Sequence, residues 1–248
     1  MKKVVLANSG GLDTTFCAIH LSKEKGYEVH AVLVNTGGFE QEELDNIGER
    51  AKKLGVASFK VLDVVSTYYN EVIKFLIFGN VLKNQTYPLS VSAERILQAK
   101  ALAEYTKSIG ATSIAHGSTG AGNDQVRFDM IFQTIIPDVE IITPIRDLKL
   151  SREEEISFLK KHGVSMNFEK AAYSINKGIW GTSVGGKVTL TSDQALPESA
   201  YPTQVSVTEP DTIALTFEKG ELVAVNGEQF DHPVSAILKV QELASPYG

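Results

Sequence analysis

Short runs of consecutive apolar, mostly β-branched residues alternate along the first part of the chain with longer stretches in which apolar residues recur every three or four positions. The runs fall at 3–7, 28–34, 57–63, 112–115 and 139–142, and helical patterns lie between them at roughly 14–30, 40–54, 64–78 and 92–109. Strands that are apolar at nearly every position belong in a sheet covered on both faces. Strands joined through helices run parallel. The predicted fold class is therefore α/β, a parallel twisted sheet with helices on both faces. Gly26, Gly55, Gly110 and Gly163 each close a helical pattern, where a left-handed cap residue is expected. Ser151 and Glu154 have the spacing of a capping box ahead of a helix at 156–161.

After about residue 164 the texture changes. Gly178, Gly181, Gly185 and Gly186 crowd together, and Pro197, Pro202 and Pro210 follow among Ser and Thr. Strand alternation returns at 212–217 and 221–225, with Glu218-Lys219-Gly220 as the expected hairpin turn, and 234–243 reads as a helix. The pattern divides the chain into a first domain at 1–164 and part of a smaller α+β domain at 165–248. So few strands and one helix offer little core of their own, so this second part is expected to dock on the first domain, on another chain or on residues outside this sequence.

Composition narrows the class without redirecting it. Of 248 residues, 43% are hydrophobic and 22% charged, the balance of a folded soluble protein. No apolar run approaches the ~20 residues that span a bilayer, and the stretch after Met1-Lys2-Lys3 is too short for a signal peptide, so a cytoplasmic enzyme with no membrane partner is expected. The formal net charge of −6, with no block of Lys and Arg, argues against a nucleic-acid partner. Cys17 is the one cysteine, which excludes an intrachain disulfide, and it reads as packing inside the first helix. Trp180, Tyr68 and Tyr69 also read as packing, and the acidic run Arg152-Glu153-Glu154-Glu155 as a solvated helix start.

Two glycine-bearing segments carry the candidate chemistry. In the first, Ala7-Asn8-Ser9-Gly10-Gly11-Leu12-Asp13-Thr14-Thr15, a strand passes through a glycine pair straight into a helix. Glycine lets the backbone approach an anion, the N–H groups of the following helix point at it, and Ser9, Thr14 and Thr15 add hydroxyl donors. No Lys follows at P-loop spacing, and the pattern is not a dinucleotide fingerprint. The bland alternative is an ordinary strand-turn-helix corner. The Ser-Gly-Gly-x-Asp form resembles the pyrophosphate loop of ATP pyrophosphatases, which release pyrophosphate from ATP and leave AMP on an acceptor.

The second segment, His116-Gly117-Ser118-Thr119-Gly120-Ala121-Gly122-Asn123-Asp124-Gln125-Val126-Arg127-Phe128, also follows a strand. Asn123, Asp124 and Arg127 can present an amide, a carboxylate and a guanidinium toward one space, a set that suits an amino-acid ligand; a solvated helix start is the alternative. His116 has no cluster of ligating residues at metal spacing and reads as structural or adjacent to a nucleotide.

Together the two segments resemble the argininosuccinate synthase family of N-type ATP pyrophosphatases, well over about the first 185 residues and loosely beyond. Asn8 stands where the family more often has an aromatic, Thr15 where Ser is commoner, and Ala121 where Lys is usual. The resemblance implies an adenine nucleotide alpha-hydrolase-like fold and an ATP-dependent, AMP-forming C–N ligase of arginine biosynthesis and the urea cycle. Such an enzyme joins citrulline and aspartate through a citrullyl-adenylate. It implies ATP contacts from Ala7, Asn8, Ser9, Gly10, Gly11, Leu12, Asp13, Thr14, Thr15, Val34 and Gly117. Citrulline contacts fall on Tyr87, Ser92, Asn123, Arg127, Ser174 and Ser183, and aspartate contacts on Thr119, Asn123 and Asp124. Mg²⁺ is expected with ATP, its ligands undetermined, and Asp13 has two candidate roles, organising the loop or facing the metal-bound pyrophosphate. The family's chains continue past position 248 with further citrulline ligands and the parts that build a homotetramer, so the second domain is expected to be incomplete. The alternatives are a catalytically silent nucleotide-binding fragment of that enzyme and another ATP pyrophosphatase, which would call for a cysteine pair, a glutaminase domain or a basic RNA surface.

Overall fold

The apolar runs become five strands, β1 (Lys3–Ala7), β2 (Glu28–Asn35), β3 (Ser58–Asp63), β4 (Ser113–Ala115) and β5 (Glu140–Ile142). They form one sheet in the order β3-β2-β1-β4-β5, every neighbouring pair parallel. The computed structural model describes residues 1–120, 122–165 and 173–248, so Ala121 lies outside the described residues. Crossover helices are α1 (Leu12–Ile19), α2 (Gln41–Lys53), α5 (Ser90–Ser108) and α6 (Asp124–Ile135), with α7 (Pro144–Leu148) and α8 (Arg152–Lys161) after β5.

Strand alternation splits the core into two layers. Val4, Leu6, Val29 and Ala31 face Phe16 and Ile19 of α1 and Leu159 of α8. Val5, Val32, Val34 and Ile114 face Ala99 and Leu102 of α5 and Phe128 and Phe132 of α6. Each large apolar side chain buried this way contributes about 1.5–3 kcal/mol, which is why a sheet apolar at every position needs both covers. The strand order reverses between β1 and β4, where Leu6 lies beside Ala115. A crevice opens at the carboxyl ends of the strands at such a reversal, so the loops after β1 and β4 meet there.

Two predicted helices differ in detail. The first starts at Leu12 rather than 14 and passes from α1 into a π turn at His20–Glu24, closed by Lys25 N–H donating to the His20 carbonyl at 3.0 Å. It stops at Gly26, φ 65°, because Glu28 must already pair with Lys3 as the first residue of β2. The pattern at 64–78 divides into α3 (Val65–Tyr68), a π turn at Tyr69–Ile73 and α4 (Lys74–Phe78). Gly55, Gly110 and Gly163 also hold positive φ, and the Ser151–Glu154 capping box is formed.

The described chain divides into two compact units, 1–64 with 92–171 and 65–91 with 172–248. The second contains the hairpin of β6 (Ser174–Gly178) and β7 (Gly181–Gly185), and a sheet of β8 (Leu215–Glu218), β9 (Glu221–Val225) and β10 (Glu228–Gln229). Lys219 and Gly220, φ 50° and 88°, make the expected turn, although β8 begins at Leu215 rather than 212. Helix α9 (Pro233–Ala244) buries Val234 and Ala236, and Ala224 and Val225 are the buried positions of β9. Tyr68 and Tyr69 are inside this unit, their hydroxyls donating to the Ser90 carbonyl at 3.0 Å and the Glu221 carboxylate at 2.8 Å. Trp180 Nε1 donates to the Pro88 carbonyl at 3.0 Å. Among the described residues no helix is long and apolar enough to cross a membrane.

Candidate functional site

The loop after β1 is shaped by its own polar groups. Asn8 is buried and its Oδ1 accepts from Gly10 N–H at 3.1 Å, folding the chain back on itself. Gly10 takes φ 73°, and a Cβ there would fall 2.7 Å from Arg50 Nη2 and 2.9 Å from Ile47 Cγ1, so only glycine lets the loop lie against α2. Arg50 Nη2 donates to the Gly10 carbonyl. The Gly11 carbonyl accepts from Thr15 N–H at 3.0 Å, Thr15 Oγ1 at 2.7 Å and Thr14 Oγ1 at 3.3 Å. Helix α1 therefore starts with its first peptides fixed and with no side chain capping them. An uncapped helix start with partial positive charge is a ready receptor for an oxyanion.

Asp13 turns away from solvent onto Glu155 of α8, to which its carboxyl is hydrogen-bonded. Glu155 is only 3% exposed, so its reading as part of a solvated helix start is corrected: α8 buries the stripe Glu155–Leu159, one turn apart, against α1. Burial first, then the charge of Asp13 and its hydrogen bond, push the Glu155 carboxyl up to about 8 against the opposing pull of Arg152. Burial likewise raises Asp13, countered by the Glu155 bond and Arg152. At neutral pH the two acids share a proton, which keeps a second negative charge away from the loop. Of the two roles open for Asp13, this geometry favours organising the loop.

Asp13 also joins the two glycine segments. A Cβ on Gly117 would lie 3.1 Å from Asp13 Cβ and 3.2 Å from its carbonyl carbon, so the absence of a side chain at Gly117 lets the β4 loop seat directly on the start of α1. His116 is buried beneath that contact. Its Nδ1 accepts from Ser118 N–H at 3.2 Å, so Nε2 carries the proton and donates to Asp129 at 2.9 Å, and its ring stacks on Phe128. The other Asp129 oxygen accepts from Arg146 at 2.7 Å. Burial alone would raise Asp129, but the bonds from His116 and Arg146 outweigh it and hold the carboxyl below its ordinary value. His116 is thus structural.

The amino-acid-like trio is brought together but paired internally. Arg127 Nη1 donates to Asp124 Oδ1 at 2.7 Å, and Arg95 Nε of α5 donates to Asp124 Oδ2 at 3.1 Å, so one carboxylate bridges two guanidiniums. Asn123 is exposed at the start of α6, and Thr119 is exposed ahead of it. A buried chain of polar groups backs Arg95. Thr36, just past β2, donates to the buried Glu94, and Gln98 Nε2 donates to the same carboxylate at 3.1 Å. Burial raises Glu94 above its usual range despite Arg95 and Thr36. Thr36, Arg50, Glu94, Arg95 and Gln98 were not singled out from the sequence, and Glu155 was read there only as part of a solvated helix start.

The remaining predicted residues distribute plainly. Leu12 and Val34 bury their side chains in the core, leaving only backbone to a ligand. Ser92 stands half-buried on α5. Tyr87, Ser174 and Ser183 belong to the second unit, where Ser183 pairs with Asn176 across the β6/β7 hairpin and the Tyr87 carbonyl accepts from Lys83 N–H at 2.8 Å. Among the described residues, no three His, Cys, Asp or Glu side chains converge as a metal cage.

A parallel sheet whose strand order reverses between two interlocked glycine loops defines a ligand-binding α/β protein of the doubly wound class. The family model described as the arginosuccinate synthase N-terminal HUP domain matches residues 3–165. The chain is 38% identical over 247 residues to the argininosuccinate synthase of Methanocaldococcus jannaschii, covering 98% of this chain and 62% of that protein. It is 38% identical over 252 residues to that of Geobacillus kaustophilus, covering 99% of this chain and 61% of that protein. The chain belongs to the argininosuccinate synthase family. It spans about three-fifths of the length of these curated relatives.

Proposed function

We propose that the chain provides the nucleotide site and much of the amino-acid site for ATP-dependent ligation of citrulline with aspartate to argininosuccinate. The observation that carries this reading is the contact of Gly117 with Asp13, which joins an anion-receptive loop to an amino-acid-like cluster in a chain of this family. The citrulline ureido oxygen would attack the α-phosphorus of ATP, forming a citrullyl-adenylate as pyrophosphate leaves, and the aspartate amine would then displace AMP.

The residues bind and orient. Ser9, Gly10, Gly11, Thr14, Thr15 and the start of α1 hold the polyphosphate, with Ala7, Asn8 and Leu12 shaping the loop and Asp13 bracing it against Gly117. Val34 offers backbone beside the base, and Gly117 lines the nucleotide from the second loop. Arg127, Asn123, Ser92, Tyr87, Ser174 and Ser183 take citrulline; Thr119, Asn123 and Asp124 take aspartate, whose ammonium would replace one of the guanidiniums on Asp124. The donor set suits Mg²⁺ arriving with the phosphates rather than held in a protein cage, since the ion accepts few protein carboxylates and keeps phosphate and water ligands. Aligning bound reactants removes on the order of 7–11 kcal/mol from a bimolecular barrier, against ~1.5–3 for one charged hydrogen bond, so completeness of the site outweighs any single contact. In this reading 1–164 is the ATP-pyrophosphatase domain, 165–248 is part of a synthetase and multimerisation domain, and the complete assembly is a homotetramer.

The test is pyrophosphate release from Mg-ATP with citrulline, with and without aspartate. Citrulline-dependent release that rises with aspartate supports ligation. Saturable ATP binding without release supports the alternative, a nucleotide-binding module of the same family. Absence of ATP binding overturns the reading of the first loop.

A further inference from the structure

Arg50 projects from α2 onto the loop after β1 and is half-buried there. Among the described residues its guanidinium has no carboxylate partner, and its one hydrogen bond is to the Gly10 carbonyl. The adjacent acid on its own helix, Glu49, is paired with Lys52 at 2.9 Å. Arg50 also lines a cavity of about 360 Å³ together with Lys23, Lys53 and Glu49, the last already paired with Lys52, so two further lysines stand beside it. Burial pulls the Arg50 guanidinium below its ordinary value, with no neighbouring charge offsetting the cost. A guanidinium left charged and unmatched beside an anion-receptive loop is costly unless an anion arrives.

The peptide geometry gives the bond a second consequence. A trans peptide is planar, and its C=O and N–H point in opposite directions. Fixing the Gly10 carbonyl toward α2 therefore directs the Gly11 N–H to the opposite, open side, where it meets only the exposed Ser9 hydroxyl at 3.4 Å. A donor held so weakly is available to a ligand. The neighbouring Gly11 carbonyl is fixed by Thr14 and Thr15, so Arg50 completes the set of bonds that orients both peptides of the glycine pair.

We propose that Arg50 is a positioning residue for the phosphate site, which aims the Gly11 N–H through the Gly10 carbonyl and sets an unpaired positive charge behind the loop face that receives the phosphate. This rests on the nucleotide reading of the first loop and extends it to a residue 40 positions away in sequence.

The experiment titrates Mg-pyrophosphate calorimetrically into the chain and into Arg50→Met, Arg50→Lys and Lys53→Met, with melting temperatures recorded for each. Losing a charge-assisted bond and the charge itself, Arg50→Met should bind pyrophosphate at least about tenfold more weakly, while Arg50→Lys, which keeps the charge and a donor, recovers to within about threefold. Lys53→Met removes a like charge three residues away that makes no bond to the loop, and its affinity should stay within about twofold. Equal losses in Arg50→Met and Lys53→Met would assign the effect to the general field and overturn the proposal. Equal losses in Arg50→Met and Arg50→Lys, tracking lowered melting temperatures, would reduce Arg50 to a structural prop. Unchanged affinity in Arg50→Met overturns it while leaving the loop reading intact; no binding by the unsubstituted chain overturns that reading first.

Discussion

The two glycine loops at the crevice handle charge in opposite ways. The loop after β1 spends its side-chain groups on its own backbone, keeps one guanidinium unmatched and neutralises a nearby acid pair by sharing a proton. The loop after β4 satisfies every strong charge internally, with Asp124 between Arg95 and Arg127, and Asp129 between His116 and Arg146. In the reading proposed above, the first is preorganised for an anion, while the second would trade existing ion pairs for a ligand's ammonium and carboxylate. Preorganisation lowers the ordering cost of binding, and exchange of pairs gives discrimination more than affinity.

The largest effect that would break this contrast is expected at Gly10. Alanine there combines a left-handed backbone with a Cβ 2.7 Å from Arg50 and 2.9 Å from Ile47, so Gly10→Ala should cost on the order of 2–4 kcal/mol in Mg-ATP affinity, read by calorimetry. Gly117→Ala separates the two loops at Asp13 and should lower affinity by about 1–3 kcal/mol, with the same readout. Asp124→Asn sharpens the contrast from the other side. It leaves two guanidiniums without their carboxylate, so aspartate binding should fall by roughly tenfold or more while Mg-ATP affinity changes by less than about twofold.

A smaller effect concerns pH. Because the Glu155 pKa is raised in the fold, the native state holds that proton more tightly than the unfolded chain. Its stabilising contribution is full below the ordinary carboxylate pKa and is lost as pH rises toward about 8, by at most about 1.4 kcal/mol per pH unit. Glu155→Gln, which stays neutral, should flatten the decline of melting temperature between pH 5 and 8. An unchanged slope would mean that the pair does not share a proton. The smallest effect is Thr15→Val, which removes one of three bonds to the Gly11 carbonyl and should cost about 1 kcal/mol in nucleotide affinity.

What was legible in the sequence follows the same division. Backbone features announce themselves in residue type: the β-branched strands, the glycine pair, the capping box at Ser151 and the Lys219-Gly220 turn. A second hairpin signal was present in Asn226-Gly227, φ 51° and 83°, and joins β9 to β10 although it was not singled out. Charges that meet only in three dimensions were hidden. Arg50, Arg95 and Glu155 lie on helices distant in sequence from the groups they touch, and by type each reads as a solvated surface residue. Glu155 had one clue, its place one turn before the buried Leu159 on the same helical face. The π turn at Tyr69–Ile73 had none, since no residue type in it distinguishes it from the helical turns on either side.

The central claim is that the loop after β1 is a preformed nucleotide receptor, independent of the amino-acid cluster. Calorimetric titration of Mg-ATP into the chain without citrulline or aspartate, beside Gly10→Ala, tests it most directly. The account predicts saturable one-to-one binding that Gly10→Ala weakens by about 30-fold or more. Binding that requires the amino acids, or that Gly10→Ala leaves unchanged, would contradict it.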